Sequence, residues 1–123
     1  MSFKERGYYS REQIKSVVGG AILPALVRSG EIVAVCLRRD MNPEAPEIYL
    51  NGNGINMIRD FNILCIQTTP FPVFVKENDR DTWQSKGNYL VDYYKTDSAT
   101  INTHKKNSGR NDIYAVVFLK KVN

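Results

Sequence analysis

Apolar and polar positions change rhythm along this chain in short blocks, and each rhythm predicts an element. Ser10-Arg11-Glu12-Gln13 has the capping-box pattern that opens a helix, and Tyr9 with Ile14 can close a hydrophobic staple across its first turn. Gly19-Gly20 is expected to end that helix, since glycine reaches the left-handed conformation common at a helix C-terminus, and Pro24 discourages continuation. Residues 31–39, with Ile32, Val33, Val35 and Leu37, are β-branched and apolar enough for a buried strand. A polar turn bracketed by Pro43 and Pro46 then leads to a short strand at 47–50. Ile55, Ile58, Phe61, Leu64 and Cys65 fall along one helical face, which predicts a helix over about 54–67.

Pro70 and Pro72 frame the start of a strand through Val73, Phe74 and Val75, a place where proline is tolerated. A charged turn at 76–81 precedes Trp83 and a strand at 87–95, with Tyr89, Val91 and Tyr93 on one face and Leu90, Asp92 and Tyr94 on the other. Residues 96–111 are polar and read as a mobile loop. The last strand, 112–121, is apolar on both faces, as a central strand covered on both sides must be. Five or six strands and two packed helices make an α+β domain built on a curved, barrel-like mixed sheet.

Composition narrows the class. With 123 residues, 42% of them apolar, the chain fits one compact domain that folds without a disulfide or metal staple. No apolar run approaches the roughly 20 residues that span a bilayer, and residues 1–6 lack the apolar stretch of a signal peptide, so a soluble cytoplasmic protein with no membrane partner is expected. Lys and Arg number 17 against 13 acids, a net charge of +4 that is compatible with a polyanionic partner without requiring one. Cys36 and Cys65 each sit in an apolar stretch with no metal-ligand spacing around them and read as buried, reduced thiols. The single histidine, His104, lies in the polar 96–111 stretch, a poor platform for a catalytic base. No metal site, cofactor loop or catalytic constellation is expected.

Three features carry candidate chemistry. Asn51-Gly52-Asn53-Gly54 runs into the predicted helix, where backbone N–H groups can hold a phosphate; the same residues also make an ordinary turn and cap. Met57 stands where the third glycine of a dinucleotide fingerprint would be. Seven tyrosines, five phenylalanines and one tryptophan exceed what one core face absorbs, so at least one of Tyr93 and Tyr94 is expected to line a groove. The stretch 98–111 holds Lys105, Lys106 and Arg110 and no acid, and Arg38-Arg39 forms a second cationic cluster. Such groups contact phosphates or are simply solvated.

The segments Tyr9-Ser10-Arg11-Glu12-Gln13-Ile14, Pro46-Glu47-Ile48-Tyr49-Leu50-Asn51-Gly52-Asn53-Gly54, Phe71-Pro72-Val73-Phe74-Val75-Lys76 and Trp83-Gln84-Ser85-Lys86-Gly87-Asn88-Tyr89-Leu90-Val91 form an ordered series. The series resembles the SRA-type (YDG) modified-base-reading domains of bacterial HNH nucleases in modification-dependent restriction, and related PUA-like modules. The Tyr-Asp-Gly tripeptide of the eukaryotic branch is absent, as is any nuclease motif.

The resemblance implies a non-catalytic module that binds double-stranded DNA, flips one modified base into a pocket and serves a nuclease domain or subunit in trans. On that reading the pocket candidates are Tyr49, Trp83, Tyr89 and Tyr93 for stacking, with Asn51, Asn53 and Asp92 for the base edge. Phosphate-binding candidates are Arg38, Arg39, Gly52, Gly54, Lys86, Lys105, Lys106 and Arg110. Three rivals stay open. One is a PUA-like RNA-binding module, and another is a small enzyme acting on a nucleotide or modified base with Asp92 or Asp60 as general acid or base. The last is an interaction domain whose cations scatter over different faces.

Overall fold

The computed structural model describes residues 3–18, 25–28, 30–77 and 82–122. Three helices, α1 (Arg11–Val18), α2 (Ile55–Ile66) and α3 (Ser98–Ser108), surround one curled, half-barrel mixed sheet, which is the expected α+β class. Its strands are β1 (Tyr8–Ser10), β2 (Ala25–Arg28), β3 (Glu31–Arg38), β4 (Ile48–Gly52), β5 (Phe71–Lys76), β6 (Thr82–Lys95) and β7 (Ile113–Lys121). The order is β2-β3-β5-β6-β7-β4, with β1 paired to β6. β3 and β5 run parallel; the other pairs are antiparallel.

Apolar residues on both faces of β3 and β7 follow from this layering, because helices cover the sheet on both sides. The main core packs Phe61 and Leu64 of α2 on Val35, Leu37, Val73 and Val117. On the opposite face Ile14 of α1 meets Ala34, Cys36, Phe74 and Trp83. A third cluster sets Ile101 of α3 beside Leu50, Val116 and Phe118.

Local chemistry explains the helix ends. The capping box forms: Gln13 N–H donates to Ser10 Oγ at 3.1 Å, and Ser10 N–H donates to Gln13 Oε1 at 2.7 Å. Tyr9 packs into the same cluster as Ile14. The expected helix stop at Gly19-Gly20 and Pro24 lies outside the described residues. α2 starts after Gly54 and ends before Gln67, whose side chain exchanges hydrogen bonds with the backbone of Ile32.

The 96–111 stretch, read from sequence as a mobile loop, is instead largely α3. Asp97 caps it by accepting from Thr100 N–H at 3.0 Å, and Gly109 closes it in the left-handed conformation at φ 72°. No residue of α3 is fully buried, so the apolar periodicity that marks a helix is missing there. The short strands β1 and β2 likewise leave no pattern in the sequence. β5 begins two residues earlier than Val73 and carries Pro72 at a register shift against β6, while β6 starts at Thr82, ahead of the expected Gly87.

Candidate functional site

A cavity of about 740 Å³ opens on the α1 side of the sheet. The strand registers build one of its walls. Arg38 pairs with Lys76 across the parallel β3–β5 ladder, and Trp83 of β6 pairs with Tyr9 of β1, directly before the start of α1. Cations and an indole from segments distant in sequence therefore converge, and Arg11 and Glu12 join them from the first turn of α1. The far wall comes from Tyr49 and Leu50 of β4, Met57 of α2 and Arg110. Met41 and Asn42, in the turn after β3, also line it.

Arg110 is a clamp as well as a lining residue. Its Nη1 donates to the carbonyls of Met41 and Leu50, each at 3.1 Å, tying the turn after β3 to β4. Nε and Nη2 hold Asp112 in a bidentate pair at 2.9 and 3.0 Å. That pair, led by the hydrogen bond from Arg110, holds the Asp112 carboxyl below its ordinary range. Asn42 completes the joint: its Oδ1 accepts from Leu50 N–H at 2.9 Å.

The other cations differ in their partners. Arg38 grips Asp40 through Nε at 3.1 Å and Nη2 at 2.6 Å. Arg11 and Lys76 sit against the Trp83 ring, at 5.6 and 5.3 Å from its centroid. Arg11 Nη2 is buried with no hydrogen-bond partner. Beside it, burial pushes the Cys36 thiol up to about 12, although Arg11 pulls the other way, so the thiol stays neutral. Burial also raises the Tyr49 phenol far above its ordinary range.

Of the residues singled out in the sequence, Tyr49, Trp83, Arg38 and Arg110 line this cavity, Tyr49 as a buried member of the main core. The rest stand elsewhere. Asn51 is buried and donates its amide to the carbonyls of Gly52 and Met57, at 3.0 and 3.2 Å, which makes it a brace for the turn into α2. Asn53 and Gly54 are exposed at that turn, and Gly52 packs against Met57. Tyr89 belongs to the main core. Tyr93 stacks on Phe118 at 4.3 Å and Asp92 is exposed, both on the extended half of β6. Arg39 bonds Glu77 and the Ala45 carbonyl, and Lys86 donates to Gln84. Lys105 and Lys106 lie in the last turn of α3 and do not line the cavity.

Comparison with family models, with curated proteins and with solved structures returns no match.

Arg11, Glu12, Asn42, Met57 and Lys76 also line the cavity, and nothing in the sequence marks them for it. Arg11 and Glu12 read in the sequence as capping-box interior, and only the β3–β5 register brings Lys76 beside Arg38. Among the described residues no group of three or more His, Cys, Asp or Glu is placed to hold a metal ion. Glu12 is the one carboxylate lining the cavity, and His104 Nδ1 faces Glu44 at 3.4 Å outside it. The cavity provides guanidinium planes, an ammonium, one carboxylate acceptor, a phenol and thioethers around a space large enough for a nucleotide.

Proposed function

We propose that this domain binds double-stranded DNA and recognises a modified base by drawing one nucleotide into the cavity. The observation that carries the reading is the convergence of Arg11, Arg38, Lys76 and Arg110 with Trp83 and Tyr49 around one space of about 740 Å³. Flipping costs a few kcal/mol of lost stacking and pairing, which the pocket must return through stacking and edge contacts. Trp83 already carries Arg11 and Lys76 on its ring, so stacking falls to the guanidinium plane of Arg38 and the thioethers of Met41 and Met57. Glu12 accepts from an exocyclic amino group, since Asp92 is exposed and does not line the cavity.

Among the described residues no helix is long and apolar enough to cross a membrane. The proposed setting is the cytoplasm, where the module serves a nuclease domain or subunit acting in trans.

The test is a polarisation titration of modified and unmodified duplexes at two salt concentrations. The reading expects tighter binding to one modified duplex, with both affinities falling as salt rises. Equal affinity for every base overturns base recognition, and no binding at low salt overturns DNA binding.

A further inference from the structure

We propose that Arg11 and Lys76, steadied by Trp83, form an oxyanion site in the cavity wall that takes a phosphate group of the bound nucleotide. The inference deepens the nucleotide reading of the same cavity and rests on it for the identity of the ligand. Four observations support it. Arg11 Nη2 is buried and makes no hydrogen bond, although a guanidinium N–H removed from water requires an acceptor. Arg11 and Lys76 form no ion pair among the described residues, whereas Arg110 is closed by Asp112 and Arg38 grips Asp40. Trp83 holds both cations by its π face without cancelling their charge. Cys36, the buried ionisable group on β3, is a neutral thiol and supplies no counter-charge, and Glu12, the carboxylate that lines the cavity, makes no ion pair with either cation among the described residues.

A phosphate suits this arrangement. One oxygen meets the planar guanidinium, and another meets the ammonium, which acts as a point charge. Arg38 lies beside Lys76 in register at the same wall, its own charge held by Asp40. The phosphate can come from a terminal monoester or from an internal diester of the duplex.

Trp83 is the only tryptophan of the chain, so its emission reads the site directly. The full chain is titrated at constant ionic strength with sodium phosphate against sodium chloride. A deoxynucleoside 5′-monophosphate is then compared with its nucleoside, and an oligonucleotide with only internal phosphates with one carrying a 5′-phosphate. The expected result is a saturable change with phosphate and the monophosphate that chloride and the nucleoside do not produce. Arg11→Met and Lys76→Met each weaken it about tenfold or more. Arg11→Lys recovers part of the loss, and Arg39→Met, whose guanidinium is held by Glu77 away from the cavity, leaves it unchanged.

The two oligonucleotides tell a terminal from an internal source. Circular dichroism of each variant separates loss of fold from loss of site, and Arg11→Lys with Lys76→Met keeps the test alive if Arg11→Met unfolds. No phosphate-specific change in the parent chain overturns the site, and so do Met variants that titrate like the parent. Failure of the wider reading looks different, because it leaves phosphate binding intact while all duplexes bind alike.

Discussion

At the scale of single residues, the structure separates side chains that hold the cavity from those that face into it. Asn51 belongs to the first group, since both its amide bonds brace backbone carbonyls. Asn51→Ala should cost about 1–3 kcal/mol in a urea melt, and on the proposed function the surviving folded protein should still tell modified from unmodified duplexes. Gly109 is simpler. A Cβ there would meet nothing within 4 Å, so Gly109→Ala at φ 72° carries backbone strain alone, about 1 kcal/mol, read as a lower melting midpoint. The thiols should be slow. Burial lifts Cys36 to about 12; Cys65, expected buried, is only half-buried, and desolvation still lifts it to about 11, so a disulfide reagent at pH 8 should titrate neither at the free-thiol rate until denaturant is added. Of the aromatic and cationic side chains that stand out in the sequence, Tyr49, Trp83, Arg38 and Arg110 line the cavity while Tyr89, Tyr93, Lys105 and Lys106 do not, because residue type says what a side chain can contact and the fold says where it stands. Residue type misled at Asn51, where an amide that suits a base edge suits a turn equally well.

Elements were legible in proportion to how much of them is buried. α2 was bounded closely because Phe61 and Leu64 face the core and leave a helical period in the sequence. α3 left none, and its signals were its caps: Asp97 three residues before Thr100, and Gly109 at the end. Those caps predict acid sensitivity. Hydrogen bonds from Thr100 hold the Asp97 carboxyl below its ordinary value of 3.8, and the bonds from Arg110 do the same for Asp112. A carboxyl depressed in the folded state stabilises it above the unfolded value and loses that contribution as pH falls through the folded one. Amide exchange across Ser98–Ser108 should therefore accelerate as pH drops below about 3.8, after correction for intrinsic rates. Asp97→Asn, which still caps but does not titrate, should remove most of the effect of that cap.

For the molecule as a whole, the decisive fact is topological. Residues 38 and 76 become neighbours only because β3 and β5 pair in parallel, with β4 and α2 carried off between them in sequence. No periodicity encodes that register, so the cationic wall could not be read from the chain, whereas the α+β class could. Salt dependence gives a molecular-scale check on the wall. If Lys76 neutralises a phosphate, Lys76→Ala should flatten the slope of log affinity against log salt by about 1. Lys106→Ala, on the outer α3, should leave the slope at the cavity unchanged if duplexes do not reach that helix.

The Arg110 clamp has a bearing on how the protein is made. It joins the backbone at Met41 and Leu50 to a side chain 69 and 60 residues further along. While the ribosome is still extending the chain, the turn after β3 and the start of β4 exist without the guanidinium that locks them together. The cavity wall becomes continuous only when Arg110 has cleared the exit tunnel. A nascent chain arrested before that point should therefore lack the closed cavity even where its early strands have already paired.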